Sequence, residues 1–203
     1  MSDGIDAQTR KLAAIAFGEA STDNVSNEIG GIAFAVANRA RAWGHKTVEE
    51  LLTADKNYTY AVSDGNARYG KLMEATDAEI IADKNGMAIA VDWAKKALAN
   101  EGDDPSNGAY WWDGVDFKTN SNHPKRKDGF CYGETSHNIF SIDEKKVTTT
   151  TYWTIRNNKT GEETKKVRGT YDYVWKSTAA HGKTIFWRYH PDFIKASGAK
   201  EYR

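Results

Sequence analysis

The chain carries LAAIAFGEASTDNVSNEIGGIAFAVANRA at residues 12–40, and this stretch decides the first part of the fold. Leu12, Ile15 and Glu19 recur at helical spacing, so they share one face of a helix that starts near residue 6 or 9. The second half of the stretch repeats small and apolar residues every three or four positions. The pattern therefore predicts two helices joined by a short polar loop.

The helical pattern continues beyond these two segments. Asn27 is the expected cap of the second helix, which ends near Gly44, and Thr47 followed by Glu50 is a capping-box pattern for a third helix. Residues 57–76 are rich in Tyr, Gly, Asn and Ser without a sustained period, which predicts a loop along a groove. A further helix is expected over residues 77–100, with an interruption near residues 85 and 86.

The remaining half alternates short aromatic segments with polar ones. VTTTTYWTIRNNKTGEETKKVR at residues 147–168 places β-branched and polar residues in alternation on both sides of NNKTG, which predicts a β-hairpin. The aromatic end of the chain is expected to dock onto the helical core.

Composition limits the class of protein. The chain has 203 residues, 28 basic and 28 acidic side chains, and one cysteine, Cys131. This length predicts one domain, the balanced charge argues against a nucleic-acid partner, and a lone cysteine excludes an internal disulfide. No stretch is apolar enough for membrane insertion, and the acidic beginning of the chain does not resemble a secretory signal.

Glu19 is the candidate for chemistry. A carboxyl group on the apolar face of a helix is costly to bury, whereas a position in a groove desolvates it as a general acid requires. The alternative is a helix-terminal glutamate that points to solvent or pairs with Arg39 or Lys11. Helical spacing alone favours that alternative.

Four segments occur in an order that resembles the SleB/CwlJ-type cell wall hydrolases. They are FGEAS at 17–21, IAFAVANRA at 32–40, DPSNGAYWW at 104–112 and GKTIFW at 182–187. The resemblance covers roughly residues 10–118 and 175–187 and leaves the predicted hairpin outside.

The resemblance implies a fold and two catalytic positions. The implied fold is mainly α (α+β), a single lysozyme-like helical domain over residues 1–203 with a β-hairpin inserted at about 147–168. Glu19 falls on the family's catalytic glutamate, and Asn38 and Arg39 fall on a pair expected to brace the catalytic helix. Thr184 stands where the closing motif has histidine, so its hydroxyl is expected to orient a water or a sugar group.

Aromatic side chains are the expected sugar-binding residues, because pyranose rings stack on flat apolar rings. Neighbouring side chains of an extended segment point to opposite faces, so one of two consecutive tryptophans is expected in the cleft. Asp113, Asp116 and Glu28 are candidates for a second carboxylate, although each alone is expected to be a solvated surface acid. The predicted substrate-binding residues are Tyr58, Tyr60, Tyr110, Trp111, Trp112 and Asp113.

These observations predict a peptidoglycan-degrading glycosidase, a muramidase or lytic transglycosylase, with Glu19 as general acid and base and with no cofactor or metal. A zinc amidase or peptidase is the first alternative, although no HExxH pair is present. A non-catalytic glycan-binding module is the second.

The expected substrate and partners follow from this function. The substrate is bacterial peptidoglycan, which a protein made in the cytoplasm would reach in the periplasm after delivery by a secretion system or phage lysis machinery. An antibacterial effector of this kind would require a cognate immunity protein that plugs the cleft.

Overall fold

Alanine-rich helices form the first half of the chain in a computed structural model that describes residues 4–55, 62–63 and 65–202. The helices of this half are α1 (Ala7–Glu19), α2 (Ser26–Trp43), α3 (Val48–Ala54), α4 (Ala67–Glu74), α5 (Asp77–Ala82) and α6 (Met87–Ala99).

Local capping determines where α1 and α2 begin and end. Asp6 caps α1, because its side chain accepts a hydrogen bond from the Thr9 N–H at 3.0 Å. The predicted cap of α2 is wrong by two residues, since Val25 precedes the helix without a side-chain cap. The predicted end at Gly44 is confirmed, with φ of 78°.

The remaining predictions in this half are partly correct. Thr47 caps α3 and accepts from the Glu50 N–H, but the Glu50 carboxylate accepts from Lys46 and does not close the box. The predicted loop at 57–76 contains α4, and the predicted helix at 77–100 is two helices that are separated by residues 83–86.

The main core lies between α1, α2 and α6. Glycine in α2 allows this helix to lie close to the sheet, because a Cβ at Gly31 would lie 2.4 Å from Phe186 of the sheet. The helical layer therefore packs on the sheet through α2. Its fully buried side chains include Leu12, Ile15, Ile29, Ile32, Phe34 and Leu51.

A four-stranded sheet and short helices form the second half. The elements are β1 (Trp111–Asp113), α7 (Val115–Thr119), α8 (Pro124–Asp128), β2 (Phe130–Cys131), a 3₁₀ turn (Thr135–His137), β3 (Thr149–Arg156), β4 (Glu163–Tyr171), β5 (Trp175–His181), β6 (Thr184–Tyr189) and α9 (Pro191–Ser197). The sheet has the order β1, β6, β5, β2, and β2 runs parallel to β5 while the other pairs are antiparallel.

The expectation of a mainly α fold is wrong. Helices hold 45% of the described residues and strands 19%, so the fold is a mixture of α and β. The sheet was missed because Ile185, Phe186 and Trp187 of β6 are all buried, and a strand covered on both faces does not show the alternation of polar and apolar residues.

The predicted hairpin is present as a two-stranded ribbon of β3 (Thr149–Arg156) and β4 (Glu163–Tyr171). Its base is closed by a 2.8 Å hydrogen bond from the Val147 N–H to the Asp172 carbonyl. One side of the ribbon rests on α9, where a Cβ at Gly169 would lie 2.8 Å from Ala196. We refer to residues 149–171 as the ribbon.

No helix in the described part of the chain combines the length and the apolar character that a membrane crossing requires.

Candidate active site

A pocket of about 260 Å³ opens where the end of α1, the loop after β1 and the turn between β5 and β6 meet. Two glutamates line it, Glu19 and Glu28. The other lining residues are small, polar or partly exposed: Ser21, Thr22, Gly114, Val115, Lys183 and Thr184. The predicted catalytic residues Glu19 and Thr184 are therefore brought to one pocket.

Glu19 is the last residue of α1, and side chains at the start of α4 hold this helix end. The last carbonyls of a helix have no partner within the helix. Here Arg68 Nε donates to the Phe17 carbonyl at 2.7 Å, and Asn66 Nδ2 donates to the Gly18 carbonyl at 2.9 Å. The chain then turns into an extended conformation at Ala20, so the Glu19 side chain stands at the pocket wall.

Trp112 contacts Glu19 from β1. Its indole N–H donates to Glu19 Oε2 across 3.4 Å, a long hydrogen bond. Asp104 orders the turn before this strand by accepting from the Ser106 and Gly108 N–H groups, and Asn38 of α2 donates to Asp104 at 2.9 Å. The motif DPSNG thus fixes the strand that carries Trp112 onto α2.

The prediction from sequence is wrong for Glu28. It was expected to be a solvated acid, but its exposed fraction is 0%. Its Oε2 accepts from the Ser21 hydroxyl at 2.6 Å, and its Oε1 accepts from the Lys183 N–H at 3.1 Å and the Thr184 hydroxyl at 2.8 Å. Glu28 therefore connects the loop after Glu19 to the β5–β6 turn.

The β5–β6 turn lies against Glu28 because Gly182 has no side chain. A Cβ at this position would be 2.4 Å from Glu28 Oε2, and the residue has φ of 57°. Both conditions favour glycine. A signal for the burial of Glu28 existed in the sequence, since Glu28 lies one helical turn before Ile32 on the inward stripe.

Thr184 has its hydroxyl directed to Glu28, and only 2% of the residue is exposed. The hydroxyl therefore donates to a buried carboxylate at the floor of the pocket. Arg39, which is expected to brace the catalytic helix, forms a buried ion pair with Asp55.

The predicted sugar-binding residues do not lie together. Trp112 lies at Glu19, whereas Trp111 points to the other face of β1 and packs against Trp175 and Tyr189, with ring centroids 5.0 and 4.7 Å away. Tyr110 packs edge-on against Trp111. Tyr58 and Tyr60 lie outside the described residues.

Asp113, the last residue of β1, belongs to a separate cluster of charged side chains. Its carboxylate lies 2.9 Å from Lys125 Nζ and 3.3 Å from His123 Nε2, and Asp116 lies 3.3 Å from the same His123 nitrogen. Burial lowers the pKa of His123, but hydrogen bonds to Asp113 and Asp116 outweigh it and raise this pKa to about 9.

The same cluster has the ligand types of a cation site, since one ligand atom each from Asp113, Asp116 and His123 lies within 4.8 Å of the others. A positive charge already contacts this cluster, however, because Lys125 Nζ lies 2.9 Å from the Asp113 carboxylate. The arrangement supports an ion-pair network.

Comparison of the chain with protein-family models, with curated proteins and with solved structures gives no match.

Proposed function

We propose that this protein is a glycosidase that cleaves bacterial peptidoglycan and that Glu19 is its general acid and base. The observation that carries the proposal is the position of Glu19, which ends a helix at the wall of an open pocket and receives the indole N–H of Trp112. A carboxyl group at such a pocket can protonate a glycosidic oxygen, and polar groups around it suit an uncharged sugar.

The burial and the hydrogen bonds of Glu28 support a mechanism with one catalytic carboxyl group. A second carboxylate that attacks the sugar or activates water must reach the substrate. Both oxygens of Glu28 accept hydrogen bonds from the protein, and the residue is fully buried. Glu28 is therefore a positioning residue that holds Ser21 and Thr184 at the pocket.

A single carboxyl group is sufficient for lytic cleavage. Glu19 first gives its proton to the oxygen of the leaving sugar as the glycosidic bond breaks. A hydroxyl group of the remaining sugar then attacks the anomeric carbon, and the Glu19 carboxylate takes the proton of that hydroxyl. The product is an anhydro sugar, no water is consumed, and Glu19 returns to its protonated form.

The decisive experiment compares the wild-type protein with Glu19→Gln on purified peptidoglycan, with mass spectrometry of the soluble fragments. An amide of the same size removes the acid, so we expect release to fall by about 10²–10⁴-fold. Anhydro-muropeptides from the wild type would establish lytic cleavage, and fragments with reducing ends would establish hydrolysis.

The matched control is Glu134→Gln, which changes a glutamate in a different surface depression. It is expected to release fragments at the wild-type rate. Fragments cut at amide bonds, or equal release by wild type and Glu19→Gln, would contradict the proposal and favour an amidase or peptidase.

A further inference from the structure

The ribbon exposes large apolar side chains on both of its faces. Tyr152 and Val167 are cross-strand partners on one face, and Trp153 and Ile155 lie on the other. Their exposed fractions are 54%, 57%, 52% and 49%, respectively. Large apolar side chains that are about half exposed on an ordered element indicate a binding surface.

The ribbon is also cationic, although the whole chain is neutral. Between residues 149 and 171 there are five basic and two acidic side chains, which give a local net charge of +3. One of them is already oriented, because the Arg168 guanidinium lies 4.0 Å from the ring centre of Trp153. Such stacking holds both groups in place before a ligand arrives.

We propose that the ribbon is a second binding surface for the anionic glycan of the cell wall, which rests on the function proposed above. The aromatic rings would stack on sugars, and the basic side chains would pair with the free carboxylates of the stem peptides. A lipid bilayer fits less well, because it would take one apolar face or an apolar tip. The ribbon has two apolar faces and a polar tip, NNKTG at residues 157–161.

The ribbon lies at the far end of the sheet from the pocket. β6 starts at Thr184 in the pocket and ends at Tyr189, next to α9, on which the ribbon rests. Five steps along a strand span about 17 Å. The ribbon can therefore hold only a polymer that extends beyond the pocket, and it contributes nothing to the binding of a short oligosaccharide.

The test is sedimentation with purified peptidoglycan sacculi, with every variant made in the Glu19→Gln background so that the polymer stays intact. The double variant Tyr152→Ala and Trp153→Ala is expected to bind about tenfold more weakly, because one aromatic side chain is removed from each face. Lys165→Gln with Lys166→Gln leaves the apolar groups in place and is expected to reduce the dependence of binding on salt.

The control is Ile81→Ala, which removes a side chain of 64% exposure outside the ribbon and should bind as the parent does. Circular dichroism verifies that each variant is folded. Equal binding by parent and aromatic double variant, or binding of the ribbon to phosphatidylglycerol vesicles in preference to sacculi, would overturn the proposal.

A second measurement separates this proposal from the catalytic one. With Glu19 restored, the aromatic double variant is expected to cleave a soluble tetrasaccharide of peptidoglycan at the wild-type rate and sacculi at a lower rate. Loss of both activities in equal measure would contradict a role limited to polymer binding. If the Glu19 assignment fails, the Glu19→Gln parent and the aromatic double variant still share the same residual activity, so the difference in sedimentation between them still measures the ribbon.

Discussion

A single buried carboxylate holds the floor of the pocket together. Glu28 accepts from Ser21, from the backbone of Lys183 and from Thr184, three donors that come from two separate segments of the chain. It also lies in the first turn of α2, where the helix dipole stabilises negative charge. These contacts offset the cost of burying the group.

Removing the charge of Glu28 without changing its size should therefore cost stability. In Glu28→Gln an NH₂ group takes the place of one acceptor and faces a donor, so one buried hydrogen bond is lost. We expect the free energy of unfolding to fall by about 1–3 kcal/mol, measured by urea denaturation.

Glu49→Gln is the matched control for this substitution. Glu49 has a side chain that is 64% exposed and forms an ion pair with Lys11. Its loss should change stability by less than about 1 kcal/mol. Equal effects at the two positions would contradict the role assigned to Glu28.

The sequence predicted part of the site at this scale. It predicts Glu19 and Thr184 as catalytic candidates, and both line one pocket, while the opposite orientation of Trp111 and Trp112 follows from strand geometry. The partner of Thr184 could not be found this way, because the contact joins residues 156 positions apart. Helix periodicity does not report which distant turn packs on a helix face.

At the scale of elements, the end of α2 depends on a residue that tolerates a left-handed conformation. Gly44 has φ of 78°, and none of the residues that the structure describes would place an atom within 4 Å of a Cβ there. In Gly44→Ala the cost is therefore conformational, and we expect a loss of about 1 kcal/mol in the free energy of unfolding.

Gly70→Ala provides a comparison with the opposite sign. Gly70 lies inside α4, and a Cβ there would meet no atom of the described residues within 4 Å. Alanine in a helix interior is favoured over glycine, so this variant should gain about 0.5–1 kcal/mol. Thermal or urea unfolding of both variants measures the difference, and a change of the same sign in both would refute the argument.

The elements were predictable where their residue types carry a local signal. The helices α1 and α2 are rich in alanine and other helix-forming residues, and the ribbon has β-branched residues on both sides of a turn sequence. β2 has two residues and β1 three, too few for any period to show. Such strands exist only because β5 and β6 offer hydrogen-bond partners, which is information from tertiary structure.

At the scale of the whole molecule, stability should depend on pH through His123. Its pKa is 6.5 when unperturbed and about 9 in the folded protein, so the folded state retains a proton that the unfolded state releases between these values. The stabilisation is complete below pH 6.5 and is lost as the pH rises through 9. We expect a decrease of about 1–3 kcal/mol, because the group is buried beside Asp113.

Urea unfolding at pH 6, 7.5, 9 and 10 measures this dependence, and His123→Gln should flatten it. Two other histidines titrate in a different pH range. Burial lowers the pKa of His137 and of His190, so any change in stability that they cause occurs below pH 6.5. If the free energy of unfolding of His123→Gln still changes between pH 6.5 and 9, groups other than His123 cause the change.

The closed base of the ribbon makes it a replaceable unit. Val147 and Asp172 are joined by a backbone hydrogen bond, so the chain leaves and re-enters the body of the protein at nearly the same point. A segment attached in this way can be lengthened, shortened or exchanged with little strain on β2 and β5. Surface specificity in such a protein can therefore change by substitution of one hairpin for another while the pocket residues remain as they are.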